Sequence, residues 1–473
     1  MGMRNLLLFN IFIFICLISS AQSESSKVEF DSLINYEVKK KETLYSISNK
    51  FNLQIDDIIK YNPELNAEKL KKKAIIIIPL KKTLRKIENE KIVDKIISND
   101  TVSEPIKLKV KKDLLKVAYL APFKIPSIEI DSVENLNSYL KEINLTTISI
   151  NFYNGIIHAI DELKKNNVSV DLDVFDTDNN ISQVEIIKEN NDFDNYDLII
   201  GPLINRNFNA FFKKEFKSNS ISPLVYDGIN LNSNTIVPEA NDLLKREKMF
   251  SIIDDLILNN QDQCALIISD SLNQKSKKAL LERFPLAEII DLNKINNSVN
   301  PKVTDSLLGF NKENWVFLET KKPNLVSSVT SLLNSQITDE RKIKLFSTVS
   351  NENYENPNVN YEKLGNLSFM YPSNSSPNSS EIFLEFQQNF LSKFKKYPDR
   401  ISIKSFDIIK DILYRISVSK SFKNSLEIGE TKSMQNKFNY VFENENGFKN
   451  TSFFILKHED LDIIDYQNWI SNK

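Results

Sequence analysis

The chain has 473 residues, 41% apolar and 26% charged. At ~100–200 residues per domain that fits two to four globular domains, and it is too apolar for a disordered chain. Its 61 Lys/Arg against 63 Asp/Glu leave a net charge of −2, so no nucleic-acid partner is expected. Two Cys and two His rule out a disulfide scaffold and a Cys/His zinc cluster, and eight Gly make glycine-rich phosphate loops scarce. No metal and no cofactor is expected.

Residues 1–21, MGMRNLLLFNIFIFICLISSA, carry Arg4, an apolar stretch from Leu6 to Ile18 and then Ser19-Ser20-Ala21. That is the layout of a cleaved secretory leader, with the cut expected after Ala21. A retained anchor is the rival reading, but a stretch interrupted by Asn10 is short of the ~20 residues a spanning helix needs. Cys16 follows Ile15 rather than the small residue a lipobox wants. No later stretch suggests a transmembrane segment in the mature chain. The remaining thiol, Cys264, lies in the apolar run CALII and is expected to be an inert core residue.

After a spacer at 22–35, residues 36–80 form a small unit. Tyr36 and Val38 alternate as a strand start. Thr43 is placed to cap a helix carrying Leu44, Ile47 and Phe51 on one face. Ile55, Ile58 and Ile59 mark a second helix, stopped by Asn62-Pro63. Ala74 to Ile78 is a β-branched run closed by Pro79, suited to pairing back on Tyr36–Val38. The order is strand, helix, helix, strand.

Tyr36-x-Val38, Glu42-Thr43-Leu44, Ile47, Phe51, Ile58, Asn62 and Ile78-Pro79 closely resemble a LysM domain. That family binds N-acetylglucosamine-containing glycans such as peptidoglycan, in a shallow groove between the first strand–helix loop and the second helix–strand loop. The resemblance therefore implies a glycan site at Glu42, Thr43, Leu44, Asn62, Pro63, Glu64 and Leu65. The family's usual turn glycines are replaced by Lys41 and Lys72-Lys73.

Residues 81–112 hold ten Lys/Arg against five acids and no aromatic residue, and read as a solvated tether within a linker of 81–115. The front of the chain is basic and the body acidic, which fits separate domains.

From residue 116 short apolar runs alternate with amphipathic stretches. Strands are expected at Val117–Ala121, Val168–Val174, Asp197–Gly201, Ile221–Tyr226, Cys264–Ser269, Trp315–Glu319, Lys344–Val349 and Leu367–Tyr371, with helices such as Ile148–Lys164 and Leu243–Leu258. Continuous apolar strands spaced by helices imply parallel sheets covered on both faces, and more than one core's worth of residues implies two α/β lobes. Ligand sites in such sheets lie beyond the strands' carboxyl ends.

Several segments in order resemble the type 1 periplasmic-binding fold of branched-chain amino-acid receptors over about 116–466. They are Val117-Ala118-Tyr119-Leu120-Ala121-Pro122, Phe152-Tyr153-Asn154-Gly155, Asp197-Leu198-Ile199-Ile200-Gly201-Pro202-Leu203, Lys396-Tyr397-Pro398 with Ser405-Phe406-Asp407, and Phe438 to Phe442. The resemblance implies lobe 1 at about 116–235 and 381–420, and lobe 2 at about 236–380 and 421–466. Gly155 is read as a close-packing residue near a helix start. Where the family's receptors carry hydroxyl-rich loops, this chain has Leu203-Ile204-Asn205-Arg206 and Asp227-Gly228-Ile229-Asn230. Gly201, Pro202, Leu203, Arg206 and Asp227 are the cleft candidates, Arg206 for an anion and Asp227 for a cation.

No catalytic residue is assigned. His158 and His458 are three hundred residues apart, so a zinc hydrolase lacks its ligands. A Cys–His hydrolase would need Cys264 exposed, and a carboxylate pair alone does not identify a glycosidase. The whole is an α/β chain, a small βααβ LysM-like module plus a two-lobed domain with parallel sheets. The expectation is a non-enzymatic periplasmic protein held on peptidoglycan, whose body binds a small polar ligand or a cell-wall synthesis protein. A receptor for an imported amino acid or peptide, and a regulator of wall synthesis, are the alternatives.

Overall fold

The computed structural model describes residues 30–38, 43–44, 47–48, 53, 55–62, 65, 75–81 and 109–467, the last apart from 126–132, 223, 225, 227, 260–262, 294–297, 350–353, 355–358 and 378–379. The chain divides into two compact units, Met1–Ile106 and Lys107–Lys473.

In the first unit, β1 (Phe30–Glu37) pairs antiparallel with β2 (Ile75–Lys81), Tyr36 opposite Ile76 and Ile34 opposite Ile78. Strand thus begins inside the segment expected to be spacer. The seven-residue partner strand offers backbone bonds to more than Tyr36–Val38, and the pairing extends to use them. Pro79 sits within β2, tolerated because a two-stranded sheet leaves each strand a free edge. Leu44 and Ile47 are helical, and a second helix spans Ile55–Lys60. Val38, Leu44, Ile47, Leu53, Ile58 and Ile76 form the core, with Ile55, Ile59 and Leu65 packed against it. Phe51, expected on that face, lies outside the described residues.

The second unit opens with β3 (Leu114–Ala121), β4 (Ser169–Asp176), β5 (Leu198–Ile200), β6 (Asn219–Ile221) and β7 (Thr235–Val237). A second set follows, β8 (Gln263–Ser269), β9 (Glu288–Ile290), β10 (Lys312–Glu319), β11 (Arg341–Phe346) and β12 (Met370–Ser373). A hairpin of β13 (Thr431–Lys432) and β14 (Lys437–Phe438) precedes β15 (Tyr440–Phe442), β16 (Phe448–Asn450), β17 (Phe454–Glu459) and β18 (Asp462–Asp465). Apart from that hairpin, they assemble into two seven-stranded sheets, β15-β16-β7-β6-β5-β3-β4 and β18-β17-β12-β11-β10-β8-β9. Pairing is parallel except at β15–β16, β12–β17 and β17–β18.

Each apolar run feeds two cores. In β3, Leu115, Val117, Tyr119 and Ala121 enter one cluster while Ala118 and Leu120 enter another on the opposite face. In β10, Val316 and Leu318 face one cluster, Trp315 and Phe317 the other. The two-residue period splits a continuous hydrophobic stretch between covered faces.

Three strands lie apart from their expected places. β6 ends at Ile221, where Ile221–Tyr226 was expected. β11 ends at Phe346 rather than Val349, and β12 begins at Met370 rather than Leu367. β7 and β9, three residues each, add to the sequence expectation. The lobe division also needs correction, because residues 440–450, assigned to lobe 2, complete the first sheet. Phe448 lies opposite Ile236, and Phe422, Phe438, Tyr440 and Phe448 fill the first lobe's core. The chain therefore passes between lobes after β7, after β12 and between β16 and β17.

Helix Leu145–Lys165 starts earlier than Ile148 because Asn144 and Thr147 form a reciprocal cap. The Asn144 side chain accepts from the Thr147 amide at 2.9 Å and the Thr147 hydroxyl accepts from the Asn144 amide at 2.9 Å. Gly155 consequently sits mid-helix, against helix Arg400–Ser419, rather than near a helix start.

Candidate functional site

In the first unit four of the seven expected glycan residues are placed, while Glu42, Pro63 and Glu64 lie outside the described residues. Thr43 is exposed, and its carbonyl accepts the Ile47 amide at 3.0 Å, opening the first helix. Leu44 is 3% exposed and belongs to the core. Asn62 has a structural use. Its Nδ2 donates to the carbonyls of Ile58 (2.8 Å) and Ile77 (2.6 Å), and its Oδ1 accepts the Ile77 amide at 2.7 Å. One side chain thus joins the end of the second helix to β2. Leu65 turns back on it, its amide donating to the Asn62 carbonyl at 3.0 Å.

In the first lobe Gly201 ends β5 with φ +89°, and a Cβ there would stand 2.3 Å from the Leu120 carbonyl, so only glycine fits. A cis bond leads to Pro202, and Pro202 and Leu203 are buried, Leu203 within the core. Arg206 is exposed and donates to the Asn179 carbonyl at 3.3 Å. Asp227 lies outside the described residues. Beside it, the Gly228 carbonyl accepts from the Asn209 side chain at 2.9 Å, which also accepts the Asn230 amide at 2.7 Å. Asp176, at the end of β4, accepts from the amides of Lys124, Ile125 and Asp178 and fixes the loop beyond β3.

A polar junction not expected from the sequence joins the loop after β6, the first crossing and helix Arg400–Ser419. Lys404 Nζ pairs with Glu239 at 2.5 Å and stands 5.5 Å from the Tyr226 ring centre. Burial and then the Glu239 charge push the Tyr226 phenol up.

The second lobe gathers buried polar groups at its strand ends. Asp270, 1% exposed, accepts from the Thr320 hydroxyl at 2.6 Å, the Asn273 amide nitrogen at 2.8 Å and the Leu272 amide at 2.9 Å. Burial alone would raise its carboxyl, but these bonds hold it below the usual range. Glu319, fully buried at the end of β10, accepts both the amide (2.7 Å) and hydroxyl (3.0 Å) of Thr348. Burial nonetheless pushes it up to about 7. Burial also lowers the ammonium of Lys245, against the attraction of Asp242. Glu319 closes the apolar run WVFLE, and a charge ending such a run was the available signal.

The two histidines are packed in separate lobes. His158 packs edge-on against Phe386 and Phe390 and tilted against Phe406, with centroids 5.0–5.7 Å away, and burial lowers its pKa. His458 lies among Tyr361, Phe369 and Tyr371, and burial brings it down to about 4. Cys264 is half-buried in β8, its Sγ 3.7 Å from the Leu307 carbonyl, and burial raises its pKa.

Residues 36–79 match the model of the LysM domain. The LysM module is followed by a body whose structural neighbours are periplasmic binding proteins of the type 1 fold. A protein of Rhodospirillum rubrum described as a branched-chain amino acid ABC transporter superposes with a TM-score of 0.50 at 10% identity, over 74% of this chain and 99% of its own. LivJ of Streptococcus pneumoniae, solved with isoleucine, gives 0.41 at 11% identity over 74% and 97%. LpoA of Haemophilus influenzae gives 0.46 at 11% identity over 75% and 60%. At these identities the likeness is one of fold. No curated protein matches the chain. Among the described residues no helix is long and apolar enough to cross a membrane.

Proposed function

We propose that this chain is a non-enzymatic exported protein that its LysM module holds on peptidoglycan in the periplasm, while the two-lobed body takes a small polar ligand or docks a cell-wall protein. The match of residues 36–79 to the LysM domain carries this reading. It is supported by a module whose end strands pair and whose two helical segments pack on one core. The secretory layout of residues 1–21 supplies the route out of the cytosol. In the body, parallel strands ending in braced loops on two lobes suit a binding cleft.

Retention on purified sacculi tests the anchor. The full chain sediments with the sacculi, and the chain truncated to begin at Asp113 stays in solution; equal retention of the two removes the reading. For the body, a tight small ligand raises the unfolding midpoint by mass action, so a metabolite screen separates a receptor from a partner-docking scaffold. A scaffold instead yields a cell-wall protein on crosslinking in cells.

A further inference from the structure

Where two of the three lobe crossings meet, the structure holds a cavity of about 360 Å³, at the small end of the ~300–1,000 Å³ of ligand pockets. Its walls come from both lobes. Helix Asp242–Asn259, entering lobe 2, supplies one side, the β13–β14 hairpin of lobe 1 the other, and the crossing at 451–453 the floor. None of the strand-end residues described above lines it.

Its chemistry is amphoteric. Lys437 is 8% exposed, and its Nζ stands 4.7 Å from the Phe454 ring centre. Among the described residues no carboxylate lies within ion-pair reach of that ammonium, nor of Lys248 on the facing helix. A buried cation that lies over an aromatic ring and has no carboxylate partner gains from an incoming carboxylate. Opposite charge is present too. Glu247 is exposed on the same helix, and Glu430 accepts the Ser452 hydroxyl at 2.5 Å. Leu244 and Phe453 give the apolar wall between.

We propose that this hinge cavity binds a small zwitterion of dipeptide size, its carboxylate on Lys437 and Lys248, its ammonium toward Glu247 and Glu430, and its apolar body against Leu244 and Phe453. Because the walls belong to different lobes, such a ligand binds one angle between them better than others and biases the cleft from outside it.

Calorimetric titration of the full chain with alanyl-leucine tests the site, beside the N-acetylated and C-amidated forms of the same peptide. The free dipeptide binds saturably with a dissociation constant at or below about 1 mM. Blocking either end weakens it about tenfold or more, as expected when a charged end loses its charge-assisted contacts. Lys437→Met and Lys248→Met each weaken the free dipeptide by a similar factor and reduce its preference over the C-amidated form. Lys248 is exposed, so Lys248→Met decides if Lys437→Met fails to fold. Absence of saturable binding overturns the proposal, and so does binding that Lys248→Met leaves unchanged, which would put the dipeptide elsewhere.

Discussion

Gly155 and Ser405 meet where two helices of the first lobe cross. A Cβ on residue 155 would stand 1.7 Å from Ser405 Oγ and 2.3 Å from the Ser402 carbonyl, inside any van der Waals contact. Ser405 itself donates to the Phe152 carbonyl at 2.9 Å, so the crossing is also hydrogen-bonded. Gly155→Ala gains about 1 kcal/mol of helix propensity. Overpacking against backbone costs about 1–3 kcal/mol or more, and the helices must separate. The expected result is a net loss of about 2 kcal/mol in urea unfolding; an unchanged midpoint would show that the crossing is looser than it stands.

In the LysM module Asn62→Ala leaves the Ile77 amide and two carbonyls without their side-chain partner. Each unsatisfied buried group costs about 1–3 kcal/mol, tempered here by partial exposure, so about 2 kcal/mol of local stability is lost. Amide exchange at Ile77 in the full chain then accelerates more than tenfold. Sacculus retention falls with it, because the turn that holds Leu65 is no longer fixed.

Glu319 makes the second lobe pH-sensitive in a defined direction. Its folded value of about 7 lies above the ordinary 4.5, so between those values the folded chain keeps a proton that the unfolded chain has lost. Stability from this group is therefore full below about pH 4.5 and falls as pH rises to 7, by roughly 3 kcal/mol. Asp407, raised to about 6 by burial despite amide bonds from Met434, Gln435 and Asn436, acts in the same sense. Urea midpoints measured at pH 5 and 7.5 will show Glu319→Gln flattening that fall. An identical slope in the variant removes the assignment.

His458 works oppositely. Burial lowers it to about 4 from 6.5, so the unfolded chain takes up a proton first and stability is lost as pH falls from 6.5 toward 4. His458→Phe keeps the stacking on Phe369 and Tyr371 and removes a ring whose two nitrogens have no hydrogen-bond partner among the described residues. The variant is expected to match the parent at pH 7 or exceed it, and to resist acid unfolding better by up to about 3 kcal/mol.

Long apolar runs were legible in the sequence because burial on both faces leaves no polar alternation to blur them. β3, β8 and β10 appear close to where their runs stand. Three-residue strands such as β7 and β9 carry too little pattern, and they exist because a neighbouring strand offers a free edge. The return of residues 440–450 to the first lobe rests on contacts with Ile236 and Val237, far away in the chain, which local periodicity does not encode. Asn62 was picked out by its family position, but its role depends on a carbonyl fifteen residues away. The charged groups at the second lobe's strand ends were visible as letters, and only the fold shows that Thr348 closes over Glu319.

The threefold passage between sheets has a consequence for biogenesis. Half of the buried residues in one of the first lobe's two cores, including those of helix Arg400–Ser419 and Phe448 of the strand Phe448–Asn450, come from the last quarter of the polypeptide. The core behind β3 that takes Ala118 and Leu120 closes early, from residues 118–216 alone, whereas the core on the other face of that strand stays unfilled until the carboxyl-terminal segment arrives.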